Sequence, residues 1–283
     1  DEMKDAGLKG QVVAMALKDR SAVLLGGHRA DLAFWLDMNS FSWVSSSFYL
    51  KDKKLPPWME AINKTLHSRK GEIYKFQPTG KSSGRSTPGD FAIKAVVGSY
   101  DSLKTPLGIE LSTDAAIAAQ QAMKLGQGPA TDVIAVSYST HDLLGHKLGP
   151  NALEMEEMTV AEDRSFAKLF NHLKKNIPGG LKNVMIVLTA DHGMSPMTTT
   201  LQQHGIEAGT VATEELKNTM ESALSKKFGE EKNQKWVLAV KSLNFYLNHE
   251  LAESKKIKIS EIEAEAKNSI LNTRGLYSVF TRS

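Results

Sequence analysis

Cysteine is absent from the 283 residues of this chain, and its absence removes two classes of site. Without thiols there are no disulfides and no thiolate-bound metal, so any metal ion must be held by His, Asp or Glu. The same absence leaves the cellular compartment open, because it suits an exported bacterial protein as well as a cytosolic one.

Long apolar runs and a strong excess of one charge are missing as well. No run approaches the ~20 residues that a membrane-spanning helix needs. The opening residues DEMKDAGLKG are charged and lack the apolar core of a signal peptide. The net charge is only +3, with basic and acidic residues interspersed, so neither a nucleic-acid surface nor a membrane surface is indicated.

Short apolar segments alternate with helical patterns, and this alternation predicts an α/β sandwich around a mostly parallel sheet. The clearest strands are predicted at residues 12–17, 32–36 and 132–137, and the clearest helices at 158–176 and 213–228. Further strands are predicted at 42–49, 183–188, 236–240, 243–247 and 277–280, and further helices at 58–66, at 113–125 and from a capping box at Ser260 to about 272.

Residues 70–108 interrupt this pattern. The stretch GKSSGRSTPGD at 80–90 is rich in Gly, Ser and Pro, which is typical of loops and lids. We therefore predict an inserted lid. The predicted organisation is a first core part at 1–48, the lid at 49–111, a metal-site βαβ unit at 112–194, and a further lid with the C-terminal core part at 195–283.

Two apolar runs each end in metal-binding side chains. The run VIAV leads to Asp142 and His146, which are spaced so that one helical turn carries both on one face. The run VMIVL leads to Asp191 and His192, and Gly193 permits a turn there. Because parallel strands end at the same edge of a sheet, we expect the two pairs to lie together.

The donor atoms of these pairs indicate which metal they suit. Carboxylate oxygens and imidazole nitrogens without sulfur favour a catalytic Zn²⁺. Four ligands in two clusters suggest two metals about 3.5–4 Å apart, which is the arrangement that clamps phosphoryl oxygens. The simpler alternative is that each Asp–His pair is an ordinary hydrogen-bonded loop. His141 is expected to face away from the metal.

Two cations directly follow the predicted strand at 12–17. Lys18 and Arg20 flank Asp19, and beside the metal pairs both could point at a bound phosphate. Arginine offers a planar bidentate fork, and lysine a point charge. The alternative is a solvated turn.

At this point the motifs become recognisable. The pattern D-x-x-G-H-x-x-G-P-x-x-x-E at residues 142–154, followed by T-A-D-H-G at 189–193, resembles the alkaline phosphatase superfamily. That superfamily includes the type I phosphodiesterases, or nucleotide pyrophosphatases. The stretches ALKDR, GGH, TPLG and FYLNHEL are similar to its phosphate-irrepressible alkaline phosphatase branch. The resemblance covers nearly the whole chain and implies a three-layer sandwich with a mostly parallel central sheet and an inserted lid.

The resemblance also implies roles for the candidate ligands. It implies two Zn²⁺ in the complete enzyme, one bound by Asp142 and His146 and the other by Asp191 and His192. It implies as well that a Thr or Ser nucleophile attacks the phosphorus.

For the two cations, the resemblance implies that Lys18 and Arg20 hold the phosphoryl oxygens of a small-molecule phosphoester. The diesterases of the family lack this Lys-x-Arg element, and a dianionic monoester carries more negative charge than a diester. The implied function is a zinc-dependent phosphate monoester hydrolase whose parent protein is periplasmic or secreted. A phosphodiesterase or nucleotide pyrophosphatase, and a non-catalytic metal- or phosphate-binding module, are the alternatives.

Some parts that the resemblance requires are not found in the sequence. The nucleophile and one Asp ligand should precede the strand that leads to Lys18, and a last His ligand should follow the final segment. We therefore expect an internal fragment with incomplete metal sites, no nucleophile and little turnover. Sheet edges exposed by such a truncation would favour self-association.

Overall fold

The computed structural model describes residues 1–50, 52–76 and 93–283. The chain divides into two compact units, Asp1–Met197 and Thr198–Ser283. The GKSSGRSTPGD stretch that suggested a lid lies outside the described residues. No helix of the described part of the chain is long and apolar enough to cross a membrane.

The first unit is built from six strands and six α-helices among the described residues. The strands are β1 (Val12–Ala16), β2 (Leu32–Asp37), β3 (Ser42–Ser45), β4 (Ile73–Phe76), β5 (Ile93–Val96) and β6 (Val133–Ser137). The helices are α1 (Glu2–Asp5), α2 (Asp19–Gly26), α3 (Pro57–Ser68), α4 (Pro106–Met123), α5 (Ser139–Leu148) and α6 (Leu153–Asn176), with 3₁₀ turns at Tyr100–Lys104 and Gly180–Asn183.

The central sheet has the order β3-β2-β1-β6. Strand β1 runs parallel to both neighbours, and β3 is an antiparallel edge strand on β2. The sequence VVAMA of β1 is buried along its whole length, as expected for a parallel strand covered on both faces. The predicted α/β fold with a mostly parallel central sheet is therefore confirmed. Strands β4 and β5 form a separate antiparallel pair.

Two apolar clusters hold this unit together. The larger lies around the sheet, where the Phe34 ring makes edge-on contacts with Trp43 and Trp58 at centroid distances of 5.4 and 5.5 Å. The smaller joins α4, α5 and α6 through the buried side chains Ile109, Leu144, Met155, Met158 and Ala161. This second cluster fixes α5, the helix that carries Asp142 and His146.

Helices α4 and α5 approach each other closely at Gly108. A Cβ atom at this position would lie 2.2 Å from Thr140 Oγ1 and 2.8 Å from the carbonyl oxygen of Leu103. The absence of a side chain at Gly108 therefore allows α4 to pack closely against the start of α5.

The second unit is a small α/β assembly of its own. It contains α7 (Thr198–Gln203), α8 (Thr213–Phe228), the hairpin of β7 (Val237–Lys241) and β8 (Asn244–Leu247), α9 (His249–Ser254) and α10 (Ile259–Ile270). Its core packs the apolar faces of α8 and α10 around the buried Trp236. The helix predicted at 213–228 is confirmed, as are both strands of the hairpin, to within a residue at each end.

The strand predicted at 183–188 is wrong. Within the described residues this segment pairs with no strand, and Met185, Ile186, Val187 and Leu188 are 89, 50, 78 and 79% exposed. The apolar run has the composition of a buried strand, but composition does not supply the hydrogen-bonding neighbour that a strand needs.

Several smaller predictions also need correction. Residues 277–280 form no strand, and Tyr277 and Phe280 are exposed. The capping box at Ser260 is wrong, because α10 begins one residue earlier, where Ile259 packs against the core of the second unit. The residues after Lys18 form the helix α2, and not the solvated turn that was the alternative considered there. Helices α4 and α6 begin several residues before their predicted starts, and β3 ends earlier than predicted.

Candidate active site

Asp142 and His146 stand on α5, which begins immediately after β6. Asp142 lies in the first turn of the helix and His146 one turn later. This spacing brings His146 Nε2 to 3.0 Å from Asp142 Oδ1. Both side chains therefore lie at the carboxyl end of β6, the sheet edge where open α/β folds keep their sites.

His192 reaches the same carboxylate from the irregular segment that follows the 3₁₀ turn at 180–183. Its Nε2 lies 3.3 Å from Asp142 Oδ1. Its Nδ1 lies 2.8 Å from the carbonyl oxygen of Gly193. With the proton on Nδ1 donated to this carbonyl, Nε2 is left unprotonated and faces Asp142, which is the arrangement typical of metal-bound histidines.

The three side chains form a ligand set for one cation. One donor atom each from Asp142, His146 and His192 lie within 4.8 Å of one another. Asp142 Oδ1 is buried and accepts no well-formed hydrogen bond from any residue that the structure describes, even though two imidazole nitrogens are near it. A buried carboxylate oxygen and two imidazole nitrogens that converge without such a bond fit a bound metal, and this mixed oxygen and nitrogen set suits Zn²⁺.

Asp191 lies beside this set. Its Oδ2 is 3.8 Å from His192 Nε2, and its side chain is exposed at the rim of the same cavity. The family resemblance implied that Asp191 and His192 bind one metal and that Asp142 and His146 bind the other. In the structure, His192 shares Asp142 with His146.

The surroundings keep Asp142 ionised. Burial raises the pKa of this carboxyl, but the hydrogen bond from Lys18 and the charges of Lys18, His146 and His192 outweigh burial, so the pKa is lowered. The pKa of His192 is raised, first by its hydrogen bond to the Gly193 carbonyl and then by Asp191. Asp142 is therefore a charged ligand at neutral pH.

Lys18 joins the two predicted elements of the site. It follows β1 as the residue that precedes α2, and its ammonium group forms an ion pair with Asp142 Oδ2. Asp142 thus faces Lys18 with one oxygen and the two histidines with the other. Arg20 lies in the first turn of α2, is exposed, and forms no ion pair with any described residue.

All these side chains line one cavity of about 490 Å³. The same cavity is lined by residues that the sequence did not single out, namely Ser21, Tyr100, Lys104, Leu143 and Lys147. Lys147 directly follows the ligand candidate His146, and that adjacency was the available signal for it. Tyr100 and Lys104 come from a 3₁₀ turn with no recognisable motif.

A family model for type I phosphodiesterases / nucleotide pyrophosphatases matches residues 7–282. The chain belongs to this family. The resemblance to the alkaline phosphatase superfamily is thereby confirmed. The match covers both compact units of the chain, so the second unit is part of the family architecture as well.

Proteins that are similar to this chain in sequence have several different names. The chain is 29% identical to a calcium-transporting ATPase of Myroides odoratus, over 94% of this chain and 52% of that protein. It is 33% identical to the alkaline phosphatase PhoV of Synechococcus elongatus, over 68% of this chain and 38% of that protein. The chain spans between 34 and 52% of the length of these and three further relatives.

The crystal structure of the wild-type alkaline phosphatase PafA has the same fold. It superimposes with a TM-score of 0.82 at 24% identity, over 99% of this chain and 56% of that chain. The alkaline phosphatase-like sandwich predicted for this family member is therefore confirmed.

Proposed function

We propose that this chain carries the metal-binding and phosphate-binding part of a zinc-dependent phosphate monoester hydrolase that acts on a small-molecule phosphoester. The observation that carries the proposal is the position of Asp142. One of its oxygens pairs with Lys18, and the other faces His146 and His192. A phosphate-binding cation and a metal-ligand set therefore meet on one carboxylate.

The proposed metal ligands are Asp142, His146, Asp191 and His192, the last two serving a second Zn²⁺ in the complete enzyme. When bound, Zn²⁺ would supply Lewis-acid stabilisation to phosphoryl oxygens. In this chain we propose that both ligand sets are incomplete and that His192 therefore joins Asp142 and His146 around one Zn²⁺, which makes this cluster the stronger site. Calorimetric titration with Zn²⁺ tests this, since two equal sites or no site would contradict it.

Lys18 and Arg20 are the proposed phosphate-binding residues. The exposed guanidinium of Arg20 offers a bidentate fork to two phosphoryl oxygens, and Lys18 adds a point charge beside the metal ligands. Two cations match the two negative charges of a monoester better than the single charge of a diester. We therefore infer monoester preference from this element.

A phosphodiesterase or nucleotide pyrophosphatase is the second candidate, favoured by the description of the matching family model. The full-length protein with Lys18→Ala and Arg20→Ala separates the two. A monoesterase loses most of its monoester rate and little of its diester rate in these variants. Equal losses for both substrates, or a diester rate that dominates in the unmodified enzyme, would establish the diesterase instead.

The chain itself is proposed to hydrolyse phosphoesters slowly or not at all, because we assign no nucleophile to it. Release of nitrophenol from nitrophenyl phosphate with added Zn²⁺ measures this. Turnover at enzymatic rates would refute the proposal. If the full-length protein binds zinc and phosphate yet hydrolyses neither ester, the non-catalytic module is the correct reading.

The remaining parts of the proposal concern the parent protein. We place it in the periplasm or outside the cell, and cell fractionation tests this placement. We retain the lid at residues 49–111 and the metal-site unit at 112–194 as the proposed organisation, with a first core part at 1–48 and a further lid with the C-terminal core part at 195–283. Limited proteolysis that cuts first within 49–111 would support this division, and first cuts within 112–194 would contradict it.

A further inference from the structure

The cavity around Asp142 is larger than a phosphoryl group requires. Its volume of about 490 Å³ lies in the range of pockets that enclose whole small molecules. Lys18 and Arg20 account for one wall. The residues of another wall, Tyr100, Lys104 and Lys147, have no role in the function proposed above.

Lys104 is held in place within this wall. Its Nζ lies 2.8 Å from Asp101 Oδ1 and 4.8 Å from the centre of the Tyr100 ring. Only 20% of its side chain is exposed. Asp101 neutralises much of the positive charge of Lys104. Lys104 therefore acts mainly as a hydrogen-bond donor that is held at a fixed position.

Lys147 supplies the uncompensated charge. It is exposed on α5 beside His146 and forms no ion pair within the described ranges. Its charge reaches Asp101, whose pKa is lowered mainly by the hydrogen bond and charge of Lys104 and further by Lys147. Asp101 balances one of the two ammonium charges on this wall, and one positive charge is left over.

We propose that Lys147 and Lys104 form an anion-binding subsite for the leaving group. The enzyme would then prefer phosphoesters whose leaving group carries its own negative charge. This inference rests on the proposed phosphoester hydrolase function. Lys18 and Arg20 take the phosphoryl oxygens at one wall, while a carboxylate or second phosphate accepts hydrogen bonds from Lys147 and Lys104. Tyr100 positions Lys104 through its ring. A neutral leaving group gains nothing from this wall.

The size of the effect is bounded by the exposure of Lys147. Solvent screens an exposed ion pair, so a contribution of at most about fivefold in affinity is expected. The alternative is that both lysines are solvated surface residues that only keep the protein soluble. In that case an added negative charge on the ligand would change affinity by less than the scatter of the measurement.

Matched phosphonates test the proposal on this chain without turnover. Phenylphosphonate is titrated into the Zn²⁺-equilibrated protein by calorimetry, alongside its 3-carboxy and 4-carboxy derivatives. We expect at least one carboxylated compound to bind about three- to fivefold tighter than phenylphosphonate. Lys147→Gln should abolish the advantage and Lys147→Arg should retain it. Lys175→Gln, an exposed lysine near the end of α6, is the control that should also retain it.

The outcomes separate this inference from the function on which it rests. If phenylphosphonate binds through Lys18 and Arg20 but neither carboxylate adds affinity, the subsite is refuted and the proposed function stands. The subsite is refuted equally if Lys147→Gln keeps the advantage. If phenylphosphonate fails to bind, or binds as well to Lys18→Ala and Arg20→Ala, the proposed function falls and the subsite with it.

Discussion

His192 Nε2 lies 3.3 Å from Asp142 Oδ1, although the whole of α6 separates the two residues along the chain. His146 approaches the same oxygen to 3.0 Å from within α5. Asp142 is thus a carboxylate that a local motif and a distant one share. Its substitution should affect the metal site more than loss of either histidine.

The first prediction concerns this carboxylate. Asp142→Asn keeps the shape of the side chain but removes its charge, so a ligand set of three loses its only anion. We expect the affinity for Zn²⁺ to fall by about 100-fold or more, since even partners outside the ligand shell commonly contribute 10- to 100-fold. Calorimetric titration of Zn²⁺ measures the change.

A matched control comes from α6. Asp163 is exposed there, so Asp163→Asn removes the same charge away from the site and should leave Zn²⁺ affinity within about twofold of the unmodified chain. Equal affinities for Asp142→Asn and the unmodified chain would show that the cluster does not bind zinc.

How much of this site was predictable depends on which contacts are local. The pairing of Asp142 with His146 follows from helical spacing alone, and the structure has it. The ion pair of Lys18 with Asp142 required parallel pairing of β1 with β6, which the pattern of apolar runs only suggested. Tyr100 and Lys104 were not predictable, because a 3₁₀ turn has no sequence period to reveal which side chains face a cavity.

The same distinction explains the fold. The run VVAMA of β1 is apolar throughout and was recognisable as a buried strand. The run VMIVL at 184–188 is equally apolar, and for this reason a strand was wrongly predicted there. Strand formation depends on a partner elsewhere in the structure, and hydrophobicity of a segment reports only its tendency to be buried.

A second prediction tests the close approach of α4 and α5. Gly108→Ala places a Cβ 2.2 Å from Thr140 Oγ1. Alanine favours helix over glycine by about 1 kcal/mol, but overpacking of a tight contact costs about 1–3 kcal/mol. We expect a net loss of about 1–2 kcal/mol in the free energy of unfolding, measured by urea denaturation.

The zinc affinity of this variant should fall as well, because Thr140 belongs to the turn of α5 that carries Asp142. Gly128→Ala is the control, since a Cβ at Gly128 meets no atom of the described ranges within 4 Å. The control should unfold within about 0.5 kcal/mol of the unmodified chain. Equal stability of the Gly108 and Gly128 variants would mean that α5 can move to accommodate the added methyl group without a loss of stability.

The third prediction concerns pH and His172, a histidine that is not part of the proposed metal-ligand cluster. His172 Nε2 lies 2.8 Å from Gln120 Oε1, so the ring donates there. Its Nδ1 lies 3.2 Å from Asn176 Nδ2 and accepts from that amide. The neutral tautomer therefore satisfies both contacts, whereas a proton on Nδ1 would face another donor. Burial lowers the pKa of His172 from 6.5.

The sign of the pH dependence follows from that shift. Because the folded-state pKa is lowered, the stabilisation is complete above pH 6.5 and is lost as the pH falls through the lower value. We expect His172→Gln to show a smaller drop in the free energy of unfolding between pH 7 and pH 5 than the unmodified chain. His204→Gln, at an exposed histidine of the second unit, should show the full drop. A parallel decline in the His172 variant would contradict the assignment.

The last prediction concerns the exposed apolar segment at residues 185–188. A run of four exposed apolar residues is a patch of the kind through which proteins associate. We expect the chain to self-associate with rising concentration, and we expect Val187→Lys combined with Leu188→Glu to restore a monomer, as measured by light scattering.

The double variant should unfold within about 0.5 kcal/mol of the unmodified chain, because both side chains are already in water. Ile206 is an exposed apolar residue of the second unit, and the control Ile206→Lys should leave association unchanged. A monomeric unmodified chain at high concentration, or association that persists in the double variant, would exclude this segment as the contact.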